Sequence, residues 1–198
     1  MKPSSIARST AWRCFSSRLL AIALLPVLGA GCAGTFQEVK ALSPQKALAS
    51  RPTALVIGHV EITDARVTGA EKELYQLKFQ QGVEAWLSKT NAFESIISGT
   101  NVPPQSVVLT GTINEVNPGS AAARFWVGMG AGQARIQGDF DIKDATDQSL
   151  EKFTARRSYL GGIGGGGLDM IKMDDLMFRL GQTVGESINK WLHGQKLD

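Results

Sequence analysis

Cysteine and histidine are nearly missing from this chain of 198 residues, which has two of each: Cys14, Cys32, His59 and His193. Two cysteines cannot build a disulfide framework. The histidines share no ligand spacing with each other or with a cysteine, so no metal site is expected. Long apolar runs are missing too: Leu19 to Leu28 gives ten residues interrupted by Pro26, well short of the roughly 20 that a spanning helix needs. This excludes a polytopic membrane chain. Charge of one sign is also scarce, with 21 Lys and Arg against 18 Asp and Glu. Lys2, Arg8, Arg13 and Arg18 all precede Cys32, and no acidic residue does. Without the first 31 residues the basic count falls to 17 against 18 acidic, a net charge of −1, and the footprint of a nucleic-acid binder is gone. What remains is a globular composition, 43% hydrophobic and 20% charged, with eight Phe, four Trp and two Tyr to fill a core.

The amino terminus reads as an address. A positively charged stretch, Met1 to Arg18, is followed by the apolar run and then by the small residues Gly29-Ala30-Gly31 before Cys32. These are the n-region, h-region and cleavage site of an export signal. The segment resembles a bacterial lipoprotein signal, with Gly29 standing where that motif has an aliphatic residue and Leu28 one position further out; the other reading is a plain secretory signal ending near Gly31. Cys14 leaves with the signal, so acylation of Cys32 leaves no free thiol in the mature chain. In the resemblance, Ala33 in place of Asp after the cysteine implies export to the outer membrane. Such an anchor contributes about 0.8 kcal/mol per buried methylene, and several acyl chains hold stably. The expected organisation is a signal peptide over 1–31, a lipidated Cys32 and tether over 32–52, and one domain over 53–198.

Within that domain, Ala54 to Thr63 is rich in β-branched residues and predicts a buried strand. Phe79, Val83, Trp86 and Leu87 recur at helical spacing within Ala70 to Thr90. A short strand at Phe93 to Ile97 completes a parallel βαβ unit. Ser106 to Val116 predicts the next strand, closed by the turn residues Asn117-Pro118-Gly119. Ala134 to Ile142 alternates apolar and polar residues, turns at Asp144 to Asp147, and returns over Leu150 to Leu160. A final helix carries the stripe Met173, Leu176, Met177, Leu180, Val184, Ile188 and Trp191. The fold class is α/β: a two-layer sandwich with a mixed, mostly antiparallel sheet of about five strands and two long helices on one face. Trp86 and Trp191 are expected to be buried against that sheet face.

The candidate catalytic motifs fail on their context. Gly162 to Gly167 matches G-x-G-x-x-G by glycine density, but no second parallel strand follows to complete a dinucleotide site. Gly185-Glu186-Ser187-Ile188-Asn189 falls inside a helix, where Ser187 reads as a surface residue and not as a nucleophile on a strand-to-helix turn. Asp139, Asp141, Asp144 and Asp147 lack the order of a calcium loop and read as a solvated face. Arg135, Lys152, Arg156 and Arg157 read as their cross-strand partners. Gly181 and Gly185, four apart, read as small residues that let the last helix approach the sheet. Neither an enzyme nor a cofactor is indicated.

One candidate contact surface follows from register. Even-numbered Ala134, Ile136, Phe140 and Ile142 must face odd-numbered Phe153, Ala155 and Tyr159, and the turn allows two registers, setting Gly130 opposite Gly161 or Ile163. Either register brings the two glycine tracts together. Gly128, Gly130 and Gly132 with Gly161, and Phe125, Trp126 and Ile163 close by, would form a low-bulk ribbon for a partner or the membrane.

The run from Val108 to Leu150, with Gly111, Asn117-Pro118-Gly119, Arg124, Gly128-Met129-Gly130-Ala131-Gly132, Ala134 and Asp144, resembles the bacterial lipoproteins grouped as domain of unknown function 4410. The resemblance covers about residues 53 to 192. Asp147-Gln148 stands where that family often has Thr-Gly. The family implies a fold and an address and no activity. In element order the chain is more distantly similar to the curli-secretion lipoprotein, the lipoprotein activators of peptidoglycan synthases and the amino-terminal domain of TolB. The expected function is that of a non-catalytic outer-membrane lipoprotein facing the periplasm, which binds an envelope protein partner in assembly or transport and no nucleic acid. The alternatives are an oligomeric secretion or pore component and a periplasmic hydrolase, which would need a His or paired carboxylates in a pocket.

Overall fold

The computed structural model describes residues 34–46, 48, 50–120, 132–160 and 172–197. Six strands form one sheet: β1 (Gly34–Ala41), β2 (Ala54–Ile62), β3 (Ser95–Ser98), β4 (Ser106–Asn117), β5 (Ala134–Asp144) and β6 (Ser149–Leu160). Two helices, α1 (Gly69–Thr90) and α2 (Met173–Leu192), share one hydrophobic core with it. The strand order is β1-β6-β5-β4-β2-β3. β2 runs parallel to β3 and β4, and the other pairs are antiparallel, so the sheet is mixed as expected.

The sixth strand is the main departure from the sequence reading. Residues 33–52, expected as a tether, contain β1, paired along its length with β6 from Gly34↔Leu160 to Ala41↔Phe153. β1 has only Val39 and Ala41 turned to the core, and its stability comes from a ladder with a strand more than a hundred residues away. Local apolar periodicity does not register such a strand. After β1 the chain crosses from one side of the sheet to β2. Lys46 N–H donates to Leu150 C=O (3.4 Å), and Leu48 packs on the core.

Helix α1 starts at Thr68, whose N–H and hydroxyl both donate to the Glu71 carboxylate (2.9 and 2.7 Å), and stops at Asn91 in the left-handed conformation (φ 49°). It buries Phe79, Gly82, Val83 and Leu87. Helix α2 buries the predicted stripe from Leu176 to Trp191. An aromatic stack joins the layers: Phe79 of α1 lies parallel to Phe140 of β5 with centroids 5.3 Å apart, and Phe140 meets Phe153 of β6 at 5.7 Å. Gly111 of β4 is the cross-strand partner of Phe140 and has no room for a side chain, since a Cβ there would stand 2.8 Å from the Asp139 carbonyl oxygen beside the Phe140 ring.

Two packing expectations are corrected. Gly181 and Gly185 bring α2 against α1 and not against the sheet: a Cβ on Gly181 would stand 3.0 Å from the Gly82 Cα, and one on Gly185 would stand 3.0 Å from the Trp86 Cβ. Trp86 is therefore half-buried on α2, whereas Trp191 is fully buried. The phase of α1 is as expected, but its Trp edge faces the neighbouring helix.

Candidate functional site

Of the predicted site residues, Cys32, Phe125, Trp126, Gly128, Gly130, Gly161 and Ile163 lie outside the described residues. Gly132 is placed at the mouth of the β4–β5 hairpin, where its carbonyl accepts from Ser120 N–H (3.1 Å). The turn is set by Asn117, whose Oδ1 accepts from Gly119 N–H (2.9 Å), with Gly119 at φ 74°. β5 and β6 pair in one of the two expected registers, Ala134↔Tyr159 through Phe140↔Phe153. This is the register that sets Gly130 opposite Ile163, a pair beyond the described residues.

The hairpin turn is built by Asp144. Its Oδ1 accepts from Thr146 N–H (2.8 Å), Thr146 Oγ1 (2.6 Å) and Gln148 N–H (2.9 Å). These bonds hold its carboxyl below the usual range. The carboxylate is thereby committed to the backbone, in keeping with a turn and not a cation loop.

Polar side chains of β1, β6, β5 and β4 form a bonded surface on the sheet face away from the helices. Arg156 pairs with Glu38 (2.9 Å) and donates twice to Gln137 Oε1 (2.8 and 2.6 Å). Asp139 accepts from Thr154 Oγ1 (2.6 Å) and Asn114 Nδ2 (2.9 Å), while Asp141 accepts from Ser149 Oγ (2.6 Å) and pairs with Lys152 (3.7 Å). Arg135 pairs with Glu115 (3.7 Å). Of the basic and acidic clusters read from the sequence as cross-strand partners, only Lys152 and Asp141 pair with each other; Arg156 and Arg135 find Glu38 and Glu115 instead, and Asp147 pairs with Lys143. Arg157 points to the helix side, donating to the Arg179 carbonyl (3.4 Å), and its partial burial lowers its pKa.

The remaining chemical candidates fall apart in space or in exposure. His59 and His193 are both exposed, and among the described residues no group of three His, Cys, Asp or Glu could hold a metal ion. Ser187 is buried in α2, not on its surface, and its hydroxyl donates to the Thr183 carbonyl (2.8 Å).

Two buried carboxylates were missed by the sequence reading. Asp64, just after β2, receives Val116 N–H (2.6 Å), Arg66 N–H (2.9 Å) and the Arg66 guanidinium (2.9 and 2.6 Å), locking the end of β4 to the β2–α1 connection. The Arg66 side chain is the first cause holding the Asp64 carboxyl far below its usual range. Glu151 stands in phase with Phe153 and Ala155 on the core side of β6, 1% exposed, with Oε2 unpartnered, and burial pushes its carboxyl up. Its alternation with Phe153 was the available signal. At the same end of the sheet an open cleft of about 370 Å³ is lined by Gln45, Lys46, Leu48, Trp191, Leu192 and Gly194.

These elements define a two-layer α/β domain whose polar sheet face carries no helix among the described residues, with β1 and β3 at its edges. The chain belongs to the family described as domain of unknown function DUF4410, whose model matches residues 43–162. No curated protein matches it. Among solved structures it is similar to a PelC dodecamer from Paraburkholderia phytofirmans (9% identity, 77% of this chain and 94% of that one, TM-score 0.44). It is also similar to a minor lipoprotein from Acinetobacter baumannii (11%, 70% and 90%, TM-score 0.38) and a putative lipoprotein from Caulobacter crescentus (14%, 69% and 92%, TM-score 0.34).

Proposed function

We propose that this chain is a lipoprotein anchored through Cys32 in the outer membrane, facing the periplasm, and that it works without catalysis as a partner-binding module in envelope assembly or transport. The observation that carries the reading is the position of Cys32: it directly follows a signal-like segment and is separated from β1 by a single residue, Ala33. An acylated Cys32 would fix the edge strand, and with it the polar sheet face, close to the bilayer. A binding role, as opposed to a catalytic one, is supported by the bonds that engage Glu38, Arg156, Gln137, Asp139, Asp141 and Lys152 with neighbours on that face, which commit these groups to the surface itself. Fractionation of cells expressing wild type and Cys32→Ser tests the anchor. Wild type is expected in the detergent-rich phase and the variant in the soluble periplasmic fraction; wild type in the soluble fraction contradicts it. Affinity purification from crosslinked cells then identifies the partner.

A further inference from the structure

Strand β1 is hydrogen-bonded on one side only among the described residues, to β6. The phase of its ladder is fixed by Leu42, whose N–H donates to the Lys152 carbonyl (2.7 Å) just past the strand's end. By alternation, Phe36, Glu38, Lys40 and Leu42 direct their backbone groups to β6, and Thr35, Gln37, Val39 and Ala41 turn theirs to the open side. Side chains alternate as well. Gln37 reaches Glu186 of α2, whereas Glu38 meets Arg156 on the helix-free face. Phe36 and Leu42 therefore share that face, and at 59% and 53% they are the most exposed large apolar side chains among the described residues. Free backbone groups beside uncovered apolar side chains make a template for another strand.

The side chains on that face run apolar, acidic, basic, apolar: Phe36, Glu38, Lys40, Leu42. Against a copy of itself, antiparallel about Val39, Phe36 meets Leu42 and Glu38 meets Lys40, each twice by symmetry. In the same register the outward-turned Gln37, Val39 and Ala41 meet outward-turned Ala41, Val39 and Gln37 and form hydrogen-bonded pairs. The matched side chains then fall at the non-hydrogen-bonded positions, where they come closest. Moving the two-fold axis to Glu38 or to Lys40 sets like charges face to face. We propose that β1 pairs with β1 of a second copy about Val39, joining the two sheets into one across an isologous interface. The pairing needs no lipid and stands apart from the reading of Cys32.

Sedimentation of the full-length protein in detergent, with its fold checked by circular dichroism, tests the pairing. Wild type is expected to dimerise at tens of micromolar, Lys40→Glu to weaken the dimer roughly tenfold by opposing like charges at two symmetric sites, and Glu38→Lys/Lys40→Glu to restore it when Arg156→Glu removes the cation that Glu38 pairs with. Under oxidation, in a Cys14→Ser/Cys32→Ser background, Phe36→Cys/Leu42→Cys is expected to give a covalent dimer, and the background protein and each single cysteine variant are not. A monomeric wild type with no crosslink in the double-cysteine variant overturns the proposal. So does a dimer that Lys40→Glu leaves as tight as wild type, since its interface then lies elsewhere.

Discussion

Gly82 of α1 and Gly181 of α2 face each other so closely that a Cβ on either would stand 3.0 Å from the Cα of the other and overlap a carbonyl oxygen, that of Phe178 or of Phe79. In an exposed helix, Gly→Ala gains about 0.5 to 1 kcal/mol. Here the sign reverses. Gly181→Ala is expected to lose about 1 to 3 kcal/mol in denaturant unfolding, because the helices must separate to admit the methyl group. A stabilised Gly181→Ala would show that the helix crossing is looser than described.

The parallel stack of Phe79 on Phe140 couples α1 to the sheet. Phe140→Ala is expected to cost about 3 to 5 kcal/mol. In a double-mutant cycle using Leu at both positions, the two changes should interact by about 0.5 to 1.5 kcal/mol beyond lost area. An additive cycle would place the rings out of contact.

The two tryptophans separate by burial. Trp191→Ala, at a fully buried site, is expected to cost about 3 to 5 kcal/mol. Trp86→Ala, on the half-buried edge over Gly185, should cost clearly less. Equal losses in thermal or denaturant unfolding would contradict this packing.

The two buried carboxylates act on stability in opposite directions of pH. Burial raises the Glu151 carboxyl, so the folded state holds that proton more tightly than the unfolded one. Its contribution is full below the unfolded value, about 4.3, and is lost as pH rises through the raised folded value. Glu151→Gln is therefore expected to be more stable than wild type at pH 7 and to lose that advantage near pH 3.5. Asp64 is held low by Arg66 and by the N–H groups of Arg66 and Val116, so its contribution is present above about 3.9 and lost as pH falls toward its depressed value. Asp64→Ala should cost about 1 to 3 kcal/mol at pH 7, and progressively less on acidification. Melting temperatures of both variants across pH 2.5 to 8 check the two signs.

Much of this architecture is legible in the sequence because it is encoded locally. The alternation of Ala134 to Ile142, the turn at Asp144 and the parity of Phe153 and Tyr159 fix β5 and β6 to within two registers, and the structure adopts one of them. What was not legible depends on partners distant in the chain. β1 is half polar and exists through its pairing with β6; the small residues of α2 serve α1 and not the sheet. Glu151 is polar but keeps phase with Phe153 and Ala155, and the strand's alternation carries it to the core side. Gly132, expected in the low-bulk ribbon, lies beside Gly119 at the hairpin mouth.

The most direct measurement is intact-mass spectrometry of the mature protein purified from membranes. The account predicts a chain that begins at Cys32 and carries a diacylglyceryl group and an amide-linked acyl chain. A mature chain with an unmodified Cys32, or one cleaved elsewhere and free of lipid, contradicts it.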